Sequence, residues 1–89
     1  MEEITQGMLA WSRAGHDRDT LYLICRVEDE FVYLCDGRLK EFQNPKKKRK
    51  KHIQVMKRIP CELAEWDGST LRNEEIRKIL KKYEEGYHV

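Results

Sequence analysis

Leu21-Tyr22-Leu23-Ile24-Cys25-Arg26-Val27-Glu28-Asp29-Glu30-Phe31-Val32-Tyr33-Leu34-Cys35-Asp36-Gly37 holds two apolar runs, separated by three acids and closed by an Asp-Gly pair. Side chains alternate across a strand, so Leu21, Leu23, Cys25 and Val27 fall on one face, with Tyr22 and Arg26 on the other. Short polar links such as Glu28-Asp29-Glu30 commonly join antiparallel neighbours, which predicts a hairpin. Glycine accepts positive φ, so Asp36-Gly37 predicts a tight turn with a short return strand from Arg38 to Phe42. Upstream, Gly7 to Ser12 reads as a first strand ending in the polar loop Arg13 to Asp19. Downstream, His52 to Met56 reads as a last strand with Ile53 and Val55 turned inward. Pro45 lacks an N–H for a ladder and marks the break before it. Five short strands with brief links predict a mainly β fold, a small closed or nearly closed antiparallel barrel.

The period changes in the last third. Ile76, Ile79, Leu80 and Tyr83 form one stripe of a helix. Asn73 is the expected N-cap, Glu74 and Glu75 fall where the helix dipole favours acids, and Gly86 is a natural stop. A helix this short needs a surface to pack on, so it is expected to clamp onto the barrel. The expected organisation is a single domain: residues 1–59 as the barrel with a basic loop at 45–52, 60–72 as a surface linker pinned by Trp66, and 73–85 as the helix.

Composition narrows the class. The chain has 89 residues, 38% charged and 39% hydrophobic, with a mean hydropathy of −0.85. No run approaches the roughly 18 apolar residues of a membrane span, and Met1-Glu2-Glu3 is acidic where a signal peptide would be basic. Cys25, Cys35 and Cys61 form no C-x-x-C pair, and His16, His52 and His88 are scattered, so neither a metal nor another cofactor is expected. Reduced thiols suit the cytoplasm. Ser12 and Ser69 lack a nucleophile-elbow context, and His16-Asp17 has no second histidine-rich site to complete a metal pair. A non-enzymatic chain without a small-molecule substrate is therefore expected.

The net charge of +2 conceals a strong asymmetry. From Arg38 to Arg58 lie ten bases and one acid, a net +9, leaving 8 bases and 15 acids, a net −7, elsewhere. Such a split suits a polyanion. At its centre, Lys46-Lys47-Lys48-Arg49-Lys50-Lys51 are six consecutive cations. Mutual repulsion predicts an extended, mobile loop that orders on binding phosphates, and glutamine at all six positions is expected to leave thermal stability nearly unchanged. With all six on phosphates, the slope of log K against log salt would be about −4 to −5. The competing readings are a plain solvated loop and, for Pro45 to Lys50, a monopartite nuclear localisation signal.

Gly7 through Gly37 resembles a KOW motif: a glycine before the first strand, Ser12-Arg13-Ala14-Gly15-His16-Asp17 as the loop, an alternating second strand, then a hairpin. With Asp36-Gly37-Arg38, Asn44-Pro45-Lys46-Lys47-Lys48 and Lys51-His52-Ile53 added, the chain is similar to small bacterial KOW-domain RNA-binding proteins. These are related to KOW-type large-subunit ribosomal proteins of archaea and eukaryotes. The likeness covers residues 4–58, and the closing helix more loosely. It implies an SH3-like five-strand barrel that binds RNA, in particular ribosomal RNA. Arg13, His16 and Arg18 would form one lip of the site, and Arg38 with Lys46, Lys47, Lys48, Arg49, Lys50, Lys51 and His52 the other. The family loop runs Gly-x-Asp-x-Gly, whereas the second glycine is here Asp19, a residue type that tolerates left-handed backbone. Trp11, Tyr22 and Tyr33 read as packing residues before base platforms.

The expectation from sequence is thus a cytoplasmic, ribosome-associated RNA-binding protein, monomeric when free, with a structural or accessory part in translation. The alternative is a protein-interaction barrel, a transcription or translation adaptor whose lysine-rich segment grips an acidic protein.

Overall fold

The central hairpin forms with one interruption that changes which side chains share a face. In the computed structural model, which describes residues 3–86, β2 (Leu21–Glu28) pairs with β3 (Phe31–Cys35). Leu23 lies opposite Cys35 and Ile24 opposite Leu34, but the next pair is Arg26 with Tyr33. Cys25 is the extra residue of a β-bulge, and a bulge re-aims every side chain beyond it. Val27 therefore packs with Tyr22 and Ile24, on the face opposite Leu21 and Leu23, contrary to simple alternation. The hairpin turns through Asp29, whose φ of 54° is left-handed.

β1 (Leu9–Ser12) pairs with β2, and β5 (Ile53–Val55) with the other side of β1. The fourth strand is not Arg38 to Phe42. That segment is a turn in which Asp36 accepts the N–H groups of Arg38 and Lys40. Instead the basic run itself is β4 (Lys46–Arg49), antiparallel to β3. The ladder to β3 supplies the backbone pairing that a free polycationic loop would lack. The sheet is one antiparallel layer in the order β4-β3-β2-β1-β5. Its two edge strands are consecutive in the chain, joined by the single 3-10 turn Lys50–His52. No ladder between β4 and β5 closes the sheet among the described residues.

Both faces of β2 are buried at its start, where Leu21, Tyr22, Leu23 and Ile24 are each at most 3% exposed. On one face Ala10, Tyr22, Ile24, Val32 and Leu34 form a core flanked by Ile53 and Val55. On the other, Leu9, Leu21, Leu23 and Cys35 meet Leu63, Ile76 and Leu80. The helix α1 (Asn73–Gly86) supplies the last two, so its stripe clamps the sheet as its spacing requires. Arg72, not Asn73, is the N-cap: its carbonyl accepts from Ile76 N–H, while Glu75 reaches back to its side chain at 3.1 Å. Asn73 instead accepts the N–H of Phe42 at 2.8 Å, tying the helix start to the segment that leads into β4. Trp66 pins the connecting segment, stacking edge-on to Phe42 at 6.2 Å and donating to Ser69 O. No helix among the described residues is long and apolar enough to cross a membrane.

Candidate nucleic-acid interface

Ser12 ends β1 fully buried, and the chain then makes a tight loop before β2. Ser12 O accepts from Asp19 N–H at 2.8 Å and Asp17 O from Thr20 N–H at 3.0 Å. Asp19 adopts φ 70°, the left-handed conformation a glycine would take without strain. These bonds aim Asp17 inward rather than at solvent.

Asp17 is the hub of the site. Its side chain is 13% exposed, and each carboxylate oxygen lies 2.8 Å from a lysine: Oδ1 from Lys48 Nζ and Oδ2 from Lys46 Nζ. Tyr22 OH donates to Oδ2 at 2.9 Å, and Ser12 Oγ lies 2.9 Å from Oδ1. Burial alone would raise the Asp17 pKa, but hydrogen bonds from Lys46, Lys48, Ser12 and Tyr22 outweigh it and hold the carboxyl far below its usual range. Tyr22 responds in reverse: burial, then the bond to Asp17 and its charge, push the phenol well above its ordinary value. Lys48 has three N–H donors, and Asp17, Ala14 O and Ser12 Oγ all lie within 2.8 Å of its Nζ.

The six-cation run therefore divides by strand alternation. Lys46 and Lys48 lie opposite Leu34 and Val32, point to the face that carries Asp17 and neutralise it. Lys47 and Arg49 lie opposite Tyr33 and Phe31 and point outward. Lys47 Nζ stands 4.2 Å and Arg49 Cζ 5.2 Å from the centre of the Phe31 ring. Lys50 and Lys51 occupy the 3-10 turn, held by Lys50 N–H to Glu30 O at 2.9 Å. The expectation of a mobile loop is thus overturned, because β3 pairing and the buried Asp17 offset the repulsion. The expectation that glutamine at all six positions would be tolerated falls with it, since Lys48 is 9% exposed and its replacement would strand a buried carboxylate.

The loop and the basic run meet along one edge. Arg13 N–H donates to His52 O at 2.8 Å, beside the Asp17 cluster. The Arg13 guanidinium is engaged by Asp19 at 3.1 Å and by Gln54. His16 and Arg18 are exposed on the same loop, and His52 is half-buried. Among the described residues, Arg18, Lys47, Arg49, Lys50 and Lys51 have no acidic partner, whereas Arg13, Lys46 and Lys48 do. Arg38 lies apart from the basic run in sequence and makes no ion pair with the Asp17 cluster among the described residues. It sits on the 36–40 turn and lines a groove with Arg77, Lys81 and Glu84 of the helix.

Sequence reasoning missed Asp17 as the organising group and Phe31 as the ring between two cations. No signal within the uniformly cationic run marks this division, which arises only once the run is a strand opposite Phe31-Val32-Tyr33-Leu34 and every second residue turns inward. No protein-family model matches the chain, and no curated protein matches it.

Proposed function

We propose that this chain is a KOW-type RNA-binding module that docks on ribosomal RNA through sugar–phosphate contacts. It acts as a cytoplasmic, monomeric, non-enzymatic accessory or structural component of the translation apparatus. One observation carries the reading. The Asp17 ion pairs tie the β1–β2 loop to β4, and on these segments and the turn that follows Arg18, Lys47, Arg49, Lys50 and Lys51 lack acidic partners among the described residues. Unpaired cations on a rigid frame gain most from phosphate, because binding releases the polyanion's condensed counterions and needs little ordering of the protein.

Two features support the family assignment. The edge strands β4 and β5 are linked by only three residues, which favours a sheet curled into an SH3-like barrel. Asp19 takes the left-handed backbone that the family's glycine allows, so the loop geometry tolerates the exchange.

The test is a variant that spares the Asp17 cluster: Lys47, Arg49, Lys50 and Lys51 all changed to glutamine. It is expected to keep the native fold by circular dichroism and to lose ribosomal-RNA association in filter binding. In cell extracts, cosedimentation of the native chain with ribosomes is expected to vanish after RNase digestion. A complex that survives RNase, or a quadruple variant with undiminished RNA affinity, defeats the proposal. The first outcome instead identifies an acidic protein as the partner.

A further inference from the structure

The helix covers the Leu21–Leu23–Cys35 end of the sheet's outer face, and Phe31 and Tyr33 lie outside the core beneath it. That uncovered end carries an ordered array of rings and cations. Arg26, Tyr33 and Lys47 stand directly opposite one another on β2, β3 and β4, and Glu28, Phe31 and Arg49 form the next row. The β-bulge at Cys25 creates the first row, because it turns Arg26 to the face where Tyr33 points. Arg26 Cζ lies over the Tyr33 ring, 4.2 Å from its centre, and Arg26 is exposed to solvent. Glu28 is the single acid in the two rows and bonds to Tyr33 OH at 3.2 Å. No described acid pairs with Arg26, Lys47 or Arg49. Beside Arg26 and Tyr33 opens a groove of about 470 Å³ bordered by Phe42, Gln43 and Asn44.

From this arrangement we infer that the outer face of β2–β3–β4 is a stacking platform for unpaired bases of single-stranded RNA, an inference that rests on the RNA-binding reading above. A purely electrostatic edge needs neither rings nor a planar cation. A base can lie on the guanidinium held over Tyr33, with Asn44, which borders the groove, to meet its polar edge. Lys47 and Arg49, held over Phe31, supply the charges for the phosphates that flank it. A-form duplex offers this face no exposed base plane, so the platform selects single-stranded segments. The acid repulsion from Glu28 is outnumbered by three cations.

The experiment compares a 12-nucleotide single-stranded RNA carrying 2-aminopurine with a 12-base-pair RNA duplex. Both are titrated with the native chain, Arg26→Lys, Tyr33→Leu and Tyr33→Phe. Arg26→Lys keeps the charge and removes the plane. It is expected to weaken single-strand binding by about tenfold, to abolish 2-aminopurine quenching and to leave duplex binding unchanged. Tyr33→Phe should behave as the native chain, and Tyr33→Leu as Arg26→Lys. Equal single-strand affinity and quenching in the native chain and Arg26→Lys overturn the platform while leaving RNA binding intact. Failure of the native chain to bind either probe overturns both readings.

Discussion

Lys48 Nζ stands 2.8 Å from Asp17 Oδ1, with both side chains largely withdrawn from water at 9% and 13% exposure. The pair joins residues 31 positions apart in the chain. It fixes the β1–β2 loop against the outermost strand, which has no further strand beyond it in the sheet. The most cationic segment of the protein is therefore held by an internal anion, and its binding capacity is what alternation leaves outside.

Removing that anion should cost more than a surface pair would. Asp17→Asn turns an amide N–H₂ toward an ammonium and leaves Lys48 buried without a counter-charge. We expect a loss of about 3 kcal/mol in urea denaturation, the low end for a broken buried pair. Adding Lys48→Met should recover part of it, since two uncharged groups no longer demand compensation. A loss below about 0.5 kcal/mol, typical of exposed pairs, would mean the cluster is only decorative.

The same carboxylate sets an acid limit on stability. Its native pKa is lowered by Lys46, Lys48, Ser12 and Tyr22 against the opposing effect of burial. A group of this kind contributes fully above its unfolded value of about 3.9. Below that, the unfolded chain binds a proton that the native state refuses, and the contribution drains away as pH falls toward the lowered native value. The stability difference between the native chain and Asp17→Asn should therefore be flat from pH 7 to about 5 and shrink below about 4. A difference that shrinks on raising the pH toward 7 contradicts the assignment.

Gly37 gives a test of the helix contact. At φ 76° it needs left-handed backbone, and a Cβ there would run into the carbonyl oxygen of Asn73 and crowd Arg77. Arg77 also donates to Gly37 O at 2.6 Å. Gly15 has a similar φ of 84°, but a Cβ would meet only Asp17 Oδ1 at 3.6 Å. Gly15→Ala should lose about 1 kcal/mol from backbone strain. Gly37→Ala should lose roughly 1–3 kcal/mol more from overpacking against the helix. Equal losses at the two sites, by thermal or chemical denaturation, would show that the 36–40 turn does not press on the helix.

Much of this was legible from local pattern. Phe31 to Cys35 and the helix stripe at Ile76, Ile79, Leu80 and Tyr83 follow from apolar periodicity, which reports burial directly. The bulge at Cys25 was hidden because it is a pairing irregularity between strands, and no single strand records it. Lysine has poor strand propensity and like charges repel, so the run Lys46–Arg49 has the local pattern of a loop. Its ladder with β3 and its ion pairs with Asp17 are tertiary effects that override both. Asn73 looked like a cap for its own helix, yet Phe42 N–H takes its oxygen from 31 residues away. In the candidate interface, the sequence carried the density of cations but not their division into paired and unpaired.

That division has a measurable consequence for RNA affinity. If all six consecutive cations met phosphates, the slope of log K against log salt would be about −4 to −5. Lys46 and Lys48 are occupied by Asp17, which leaves Lys47, Arg49, Lys50 and Lys51. These four contribute about −3 to −3.5 to the slope, so over a fourfold rise in salt the run alone should weaken binding by roughly 50- to 150-fold. The larger slope would predict several hundredfold or more, a gap that filter binding between 50 and 200 mM salt resolves. Asp17→Asn adds a second arm. By freeing Lys46, the more exposed of the pair at 30% against 9%, it should steepen the slope by about one contact in the fraction that stays folded. A native slope near −5 would mean that RNA pulls both lysines away from Asp17, and the internal pairing described above would then belong to the free chain alone.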